Sequence, residues 1–313
     1  MITNFRGLQE RLQRLDGFED LRSYENLALD FLRALADSAP TKIVAPNCPN
    51  YIFYQYGPEQ GHRITRPLNT DLFVKGPSVF QTQLKKFHAI LDVIARWKSD
   101  SEQKLAARDL PPQVLDSVLY TIQQSLGSIA DSLSETNQAR KRAGQLFEGL
   151  IKLTICSTGL PCEGRVVKLP LPGHADRTMS YELDMVISRE NVIVASETRL
   201  LLPNEIVGSV KTTSKDRIDK IFLDKFMMSR LLERNVRVVA VFLHDVQRAR
   251  HKDSRFGINS TFKSNHFLGY SIALQPLDGV YYVDPRPAMA TDPELAKQIG
   301  SFSSFLVRDL WRL

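Results

Sequence analysis

Ile206-Val207-Gly208-Ser209-Val210-Lys211-Thr212-Thr213-Ser214-Lys215-Asp216-Arg217 reads as a short strand that runs directly into a helix. A strand alternates its side chains, so Ile206, Gly208 and Val210 share one face and Val207, Ser209 and Lys211 the other. Lys211 closes the strand beside a helix entry at Thr213 or Ser214. The helix then carries Ile218, Ile221, Phe222, Lys225 and Leu232 as a largely apolar stripe, with Lys215, Asp216 and Arg217 in its first turn. A lysine at the polar edge of a core strand, followed at once by three charged residues, is the feature to explain.

Outward from that stretch, Val236–Leu243 is β-branched and apolar enough for a buried strand, after a helix end near Asn235. On the N-terminal side, Ser180–Ile187 alternates. Tyr181, Leu183, Met185 and Ile187 point one way, and Glu182 and Asp184 the other. The run Val192–Ala195 follows a turn at 189–191 and predicts a hairpin with that strand. Tyr270–Leu274 and Gly279–Val283 read as further strands, and 294–311 as a C-terminal helix. Gln138 to about Ile155 is a helix with Ala143, Leu146, Phe147, Leu150 and Ile151 as its stripe and Glu148 at the stripe's edge. Its basic block 140–142 suits a phosphate backbone or plain solvent.

The first 130 residues are mainly helical. Leu8, Leu12 and Leu15 precede a break at Asp16-Gly17, and Leu21 to Leu32 follow it. Residues 40–61, with Pro40, Pro46, Pro49 and Pro58, form a loop-rich connection whose Tyr51, Phe53, Tyr54 and Tyr56 are core candidates. Helices are expected over 78–97 and after Pro111-Pro112. The expected fold class is α/β, a central mixed β-sheet flanked by helices. A mainly helical region over 1–130 precedes a core over 131–313.

Composition narrows the classes. Hydrophobic residues make up 43% and charged ones 24% of 313, as in a globular chain and unlike a disordered one. A net charge of +6 permits a polyanionic partner without demanding one. Cys48, Cys156 and Cys162 fit no zinc spacing and read as reduced thiols. No signal-peptide core and no apolar run of roughly 18 residues is present, so a cytoplasmic protein without membrane segments is expected.

Asp184 and Lys211, both at polar positions of strands otherwise written for a core, are the residue types that phosphodiester hydrolysis asks for. A carboxylate holds a hard divalent cation, and a nearby lysine stabilises charge developing at phosphorus. Asp184 with Ser209-Val210-Lys211 resembles the PD-(D/E)XK nuclease signature, in the form found in restriction endonucleases of the CCGG and CCNGG group. Ser209 stands where the second acid usually does, and no proline precedes Asp184. In that family the missing acid comes from the following helix about 13 residues after the lysine, which here is Asp224, an aspartate in place of the usual glutamate. Lys215-Asp216-Arg217 falls where the family carries its recognition segment, with lysine in the first place. Arg217 can bond guanine bidentately and Asp216 can accept from cytosine N4. Arg-Ala-Gly-Gln-Leu-Phe-Glu ending at Glu148 resembles the family's earlier helix glutamate.

The resemblance implies a type II restriction endonuclease with the restriction-endonuclease-like sheet. It would hydrolyse both strands of double-stranded DNA with Mg²⁺, at a short palindrome with a CC/GG core, leaving 5′-phosphate ends. Asp184 and Asp224 would hold the metal, Lys211 would act at the phosphate beside Ser209, and Glu148 would assist. It also implies a homodimer, or a tetramer of paired dimers, with a cognate DNA methyltransferase as functional partner. Should the recognition core be interrupted by an extruded base, Trp97 or an aromatic among 51–56 is the stacking candidate. A repair or recombination nuclease of the same fold, and a DNA-binding protein that has lost its chemistry, are the alternatives. Random cutting or binding without cleavage would distinguish them.

Overall fold

The structure is a computed structural model that describes residues 5–57, 63–97, 111–133 and 136–313. Pro58 and Gly61 of the proline-rich connection, and the first four residues, lie outside the described part. In chain order come helices α1 (Phe5–Gln13) and α2 (Leu21–Ser38), then strands β1 (Thr41–Val44), β2 (Tyr51–Gln55) and β3 (Leu68–Asn69). Helices α3 (Pro77–Ala95), α4 (Gln113–Asp131) and α5 (Thr136–Cys156) lead to strands β4 (Cys162–Leu171), β5 (His174–Ser188) and β6 (Glu205–Lys211). After α6 (Ile218–Leu231) follow β7 (Arg237–His244), β8 (Val246–His251), β9 (Ser254–Ser260), α7 (Ser264–Ala273) and β10 (Gly279–Asp284). Short helices α8 (Pro287–Thr291) and α9 (Pro293–Ala296), strand β11 (Ile299–Ser301) and a final helical turn close the chain. No helix among the described residues is long and apolar enough to cross a membrane.

The chain forms two compact units. The first comprises Met1–Ile90, Pro111–Leu150 and Val246–Thr261. Its centre is α4, buried on every side, as a helix must be when even its polar positions face protein. Gln123 on α4 is fully buried and donates to the Ala143 carbonyl at 2.9 Å. Asp20 caps α2 by accepting from the Ser23 amide at 2.8 Å, after a 3₁₀ turn at 15–17 that places the break at Asp16-Gly17. Within the proline-rich connection, β1, β2 and β3 form a small antiparallel sheet, and Tyr51, Phe53, Tyr54 and Tyr56 are buried. They are packing residues here, and none presents an open ring for stacking.

The second unit comprises Leu91–Leu110, Ile151–Asp245 and Phe262–Leu313. Its mixed sheet has the order β11-β10-β7-β6-β5-β4, antiparallel through β4, β5 and β6 and parallel from β6 to β11. Helices cover it: α6 places Ile221, Phe222 and Met228, and α7 places Phe267, in one core with Val207, Val238, Ala240 and Phe242. The Phe222 and Phe267 rings meet edge-on at 5.5 Å. Trp97 is half-buried and meets Trp311 edge-on at 5.6 Å, so it too is engaged in packing.

Lys225, in the stripe of α6, is only 2% exposed. Its Nζ donates to Asp278 Oδ2 at 2.6 Å and to the Pro276 carbonyl at 2.7 Å, and the same Asp278 oxygen accepts from the Val238 amide. A buried ion pair stripped of one partner leaves a desolvated charge behind. Lys225→Met keeps the aliphatic stem and is expected to cost about 3 kcal/mol, read as a lower urea midpoint. An unchanged midpoint would mean that Asp278 rehydrates freely.

Several expected elements differ. The hairpin partner of β5 is β4, joined through a turn in which Gly173 has φ +79°, and not Val192–Ala195. The latter run joins no ladder, because the buried Glu205 carboxylate takes its amides: Val194 at 2.5 Å and Ala195 at 3.1 Å, with Leu202 at 2.7 Å. Tyr270–Leu274 is helical, its residues falling in or just after α7, where Phe267 and Ser271 are buried four apart while Ile272 is exposed. The expected C-terminal helix is broken where Ile299–Ser301 pairs in parallel with Val280–Tyr282 of β10. Helix α6 stops at Leu231, before Asn235.

Candidate active site

The site begins with an irregularity in β5. Between β4 and β5 the register passes from Glu163↔Val186 to Arg165↔Leu183, so β5 advances three residues while β4 advances two. The extra residue is a β-bulge at Asp184-Met185, which bends the strand and re-aims its side chains. Strict alternation therefore fails there. Tyr181 and Leu183 pack in the same core as Val186 and Val207, while Met185 covers Gly208, where a Cβ would meet its Cε at 2.1 Å. The β5–β6 ladder runs from Ser188↔Glu205 to Met185↔Gly208 and stops at the bulge.

Asp184 then supplies with its side chain what the ladder no longer does. Its Oδ2 accepts from the Val210 amide at 2.9 Å, Ser209 Oγ at 3.0 Å and Lys211 Nζ at 2.5 Å. All three donors converge on one oxygen, and Oδ1 has no donor among the described residues. Asp224, on α6, lines the same cleft of about 620 Å³ with Ser209, Lys211, Arg217 and Lys220. Lys220, one turn before Asp224, forms an ion pair with it. Each carboxylate thus already carries an ammonium group. Lys220 and the exposed Glu182, which also lines the cleft, were not singled out from the sequence. Their residue types are common on any surface, and only the fold shows where they face.

Tyr181 is a further cleft residue, 7% exposed, and its hydroxyl finds no hydrogen-bond partner among the described residues. Burial raises its pKa, and the nearby Asp224 carboxylate raises it further, so it stays a neutral donor. An unpaired buried hydroxyl costs stability and calls for an explanation in function or hydration.

Lys215, Asp216 and Arg217 precede α6 and are not its first turn. The chain leaves β6 through a tight turn, with Asp216 at φ +53° and Arg217 in the position just before the helix. All three are exposed, and of them Arg217 lines the cleft. The turn is held by Asp245, a residue the sequence reading passed over. Fully buried, Asp245 accepts from Thr213 Oγ1 at 2.7 Å, the Ser214 amide at 2.9 Å, Ser214 Oγ and Tyr282 Oη at 2.7 Å. An aspartate directly after β7, whose Val238–Leu243 are buried, was the one available signal.

Glu148 belongs to the first unit, on α5. It is half-buried, near Tyr24, whose hydroxyl pKa is pushed up by burial and by the Glu148 charge against the pull of Arg142. Asp184, Lys211 and Asp224 belong to the second unit.

No group of three or more His, Cys, Asp or Glu side chains placed to hold a metal occurs among the described residues. The donor set still fits Mg²⁺, which is bound through one or two carboxylates and keeps several waters. The open Oδ1 of Asp184 and the carboxylate of Asp224 are hard oxygens, and the orphaned Tyr181 hydroxyl can bond a water or a carboxylate oxygen.

The helix-flanked mixed sheet is the restriction-endonuclease fold. The chain is similar to the crystal structure of the type IIP restriction endonuclease Kpn2I, at 15% identity over 98% of this chain and 97% of that one, with a TM-score of 0.66. A restriction endonuclease PspGI–substrate DNA complex also matches, at 13% identity over 74% of this chain and 90% of that one, with a TM-score of 0.35. No family model matches the chain, and no curated protein sequence does.

Proposed function

We propose that this chain is a type II restriction endonuclease: an Mg²⁺-dependent, homodimeric enzyme that cuts both strands of duplex DNA at a short palindrome with a CC/GG core. The observation that carries this reading is the convergence of Ser209, Val210 and Lys211 on one oxygen of Asp184. It leaves the other oxygen open in a cleft shared with Asp224. The Kpn2I-like fold and the resemblance of the motif to the CCGG/CCNGG group agree with it.

Held by Asp184 and Asp224, Mg²⁺ would supply charge neutralisation at phosphorus and a more acidic attacking water. The chain's own residues do the rest. The Val210 amide and Ser209 hydroxyl fix the Asp184 rotamer, so its open oxygen is aimed before substrate arrives. Lys211, ion-paired at rest, is placed to bond a non-bridging phosphate oxygen and stabilise the charge that grows as water attacks. The P–O3′ bond breaks, leaving a 5′-phosphate and a 3′-hydroxyl. Arg217, on the rim of the same cleft, would read a guanine through its planar fork, with Asp216 and Lys215 beside it on the turn. In a two-fold dimer each protomer would serve one strand.

Digestion of a sequenced plasmid with Mg²⁺ tests this reading. Discrete fragments are expected, and sequencing of their ends would give the site. A smear would favour a structure-reading repair nuclease, and binding without cutting a DNA-binding protein.

The Tyr181 hydroxyl is expected to support Asp224. Removing an unpaired buried hydroxyl leaves stability unchanged or slightly raised, so Tyr181→Phe should fold normally. The Mg²⁺ concentration for half-maximal cleavage should rise about 10-fold, as when an outer-shell partner of a ligand is lost. An unchanged Mg²⁺ requirement would assign the hydroxyl to hydration alone.

A further inference from the structure

The first unit contains a cleft of about 320 Å³ that the proposed chemistry leaves unused. Guanidinium groups reach it from separate segments: Arg63 and Arg66 between β2 and β3, Arg140 at the start of α5 and Arg248 on β8. Among the described residues that line it stands one acid, Asp131, and Arg66 takes both its oxygens, Nε to Oδ2 at 3.0 Å and Nη2 to Oδ1 at 2.9 Å. Arg66 can lie against α4 because residue 127 is glycine, since a Cβ there would fall 2.1 Å from its Nη1. Arg63, Arg140 and Arg248 are exposed and add three charges with no further carboxylate among the described residues of the lining to balance them.

Two details separate this cluster from an ordinary solvated surface. Arg248 lies over the Phe256 ring at 6.0 Å, a contact that restrains the guanidinium without neutralising it. Arg142, from the same basic block as Arg140, is instead committed to the fold, donating to the carbonyls of Leu12 at 2.9 Å and Arg14 at 2.5 Å. Arg140 is the member of the block that faces the cleft. Like charges drawn together in a concave site repel one another and focus the field on an incoming anion. A rigid fork suits a phosphate, and a lining with one acid, already paired, offers little to tell one base edge from another.

Resting on the DNA-cleavage reading, we propose that this cleft grips a phosphate of the duplex sugar–phosphate backbone, outside the recognised bases and independent of sequence. The test measures binding of cognate and random duplexes without divalent metal, across a salt series. It uses the wild type, Arg63→Gln, Arg140→Gln and Arg248→Gln singly, and the three combined, with Arg66 and Asp131 untouched. The combined variant is expected to keep its melting temperature. It should lose about 2 units of the slope of log K against log salt, one phosphate at each protomer of the dimer, since each phosphate neutralised contributes about 0.9. Affinity at 0.1 M salt should fall about 10- to 100-fold, equally for both duplexes.

An unchanged slope in a variant that still binds duplex would overturn the proposal. A second arm adds millimolar inorganic pyrophosphate or a nucleotide. If these raise the melting temperature of the wild type but not of the variant, while the duplex slope stays the same, the ligand is a free phosphate and the backbone assignment fails. A wild type that binds no duplex at any salt would sink the DNA reading itself, whatever the arginines do.

Discussion

Asp184→Asn is expected to cut plasmid at least about 10³-fold more slowly than the wild type while binding the same duplex at least as tightly. The amide is isosteric. Its oxygen can still accept from the Val210 amide and the Ser209 hydroxyl, so β5 and β6 keep their geometry. What is lost is the charge: the side chain no longer attracts a divalent cation, and Lys211 loses its ion-pair partner. Removing a carboxylate from a cleft proposed to receive DNA also removes repulsion, which is why binding should hold or improve. Lys211→Met should lower cleavage by a comparable factor, and the double variant little further, because groups that act as one unit are not additive. Cleavage that survives in Asp184→Asn would rule out the site.

Asp245→Ala is expected to give the largest structural effect, on the order of 4 kcal/mol. The carboxylate is fully buried and satisfies Thr213, Ser214 twice and Tyr282. Its removal orphans those donors together and leaves a void where they met. Asp245 ties Thr213 and Ser214 of the turn before α6 to the sheet, so Lys215, Asp216 and Arg217 should lose their fixed presentation. Discrimination between cognate and random duplex should then collapse, even at temperatures where the protein remains folded. Ser214→Ala, which removes one donor and spares the hub, should cost only about 1 kcal/mol and keep specificity. A variant at Asp245 that keeps full discrimination would separate the turn from recognition. Limited proteolysis at 212–217 checks the loosening directly.

Much of the fold was legible because local pattern and burial coincide. The continuous apolar β7, the alternating β6 and the helices at 77–95, 113–131 and 136–156 need no distant information. The failures share a cause. Val192–Ala195 looks like a strand, but whether an apolar run joins a ladder depends on which acceptors lie beside it, and Glu205 arrives from the next strand. Tyr270–Leu274 is too short for its period to decide between strand and helix, and packing of Phe267 on Phe222 settled it. The bulge at Asp184 is a matter of register with β4, which alternation inside β5 cannot reveal.

By itself, the sequence determined an α/β chain with a lysine ending a core strand, an aspartate on its neighbour and a charged triplet shortly after. Each is a property of nearby residues, and side-chain periodicity expresses it locally. Tertiary structure alone decided that Asp184 gathers three donors on one oxygen, and that Tyr181 lines the same cleft as Asp224. It also decided that Asp245 anchors the turn before α6 and that four arginines meet in one cleft. Those arrangements join residues tens to nearly two hundred positions apart. Their energy arises from burial and charge once the chain has folded, and no local pattern encodes it.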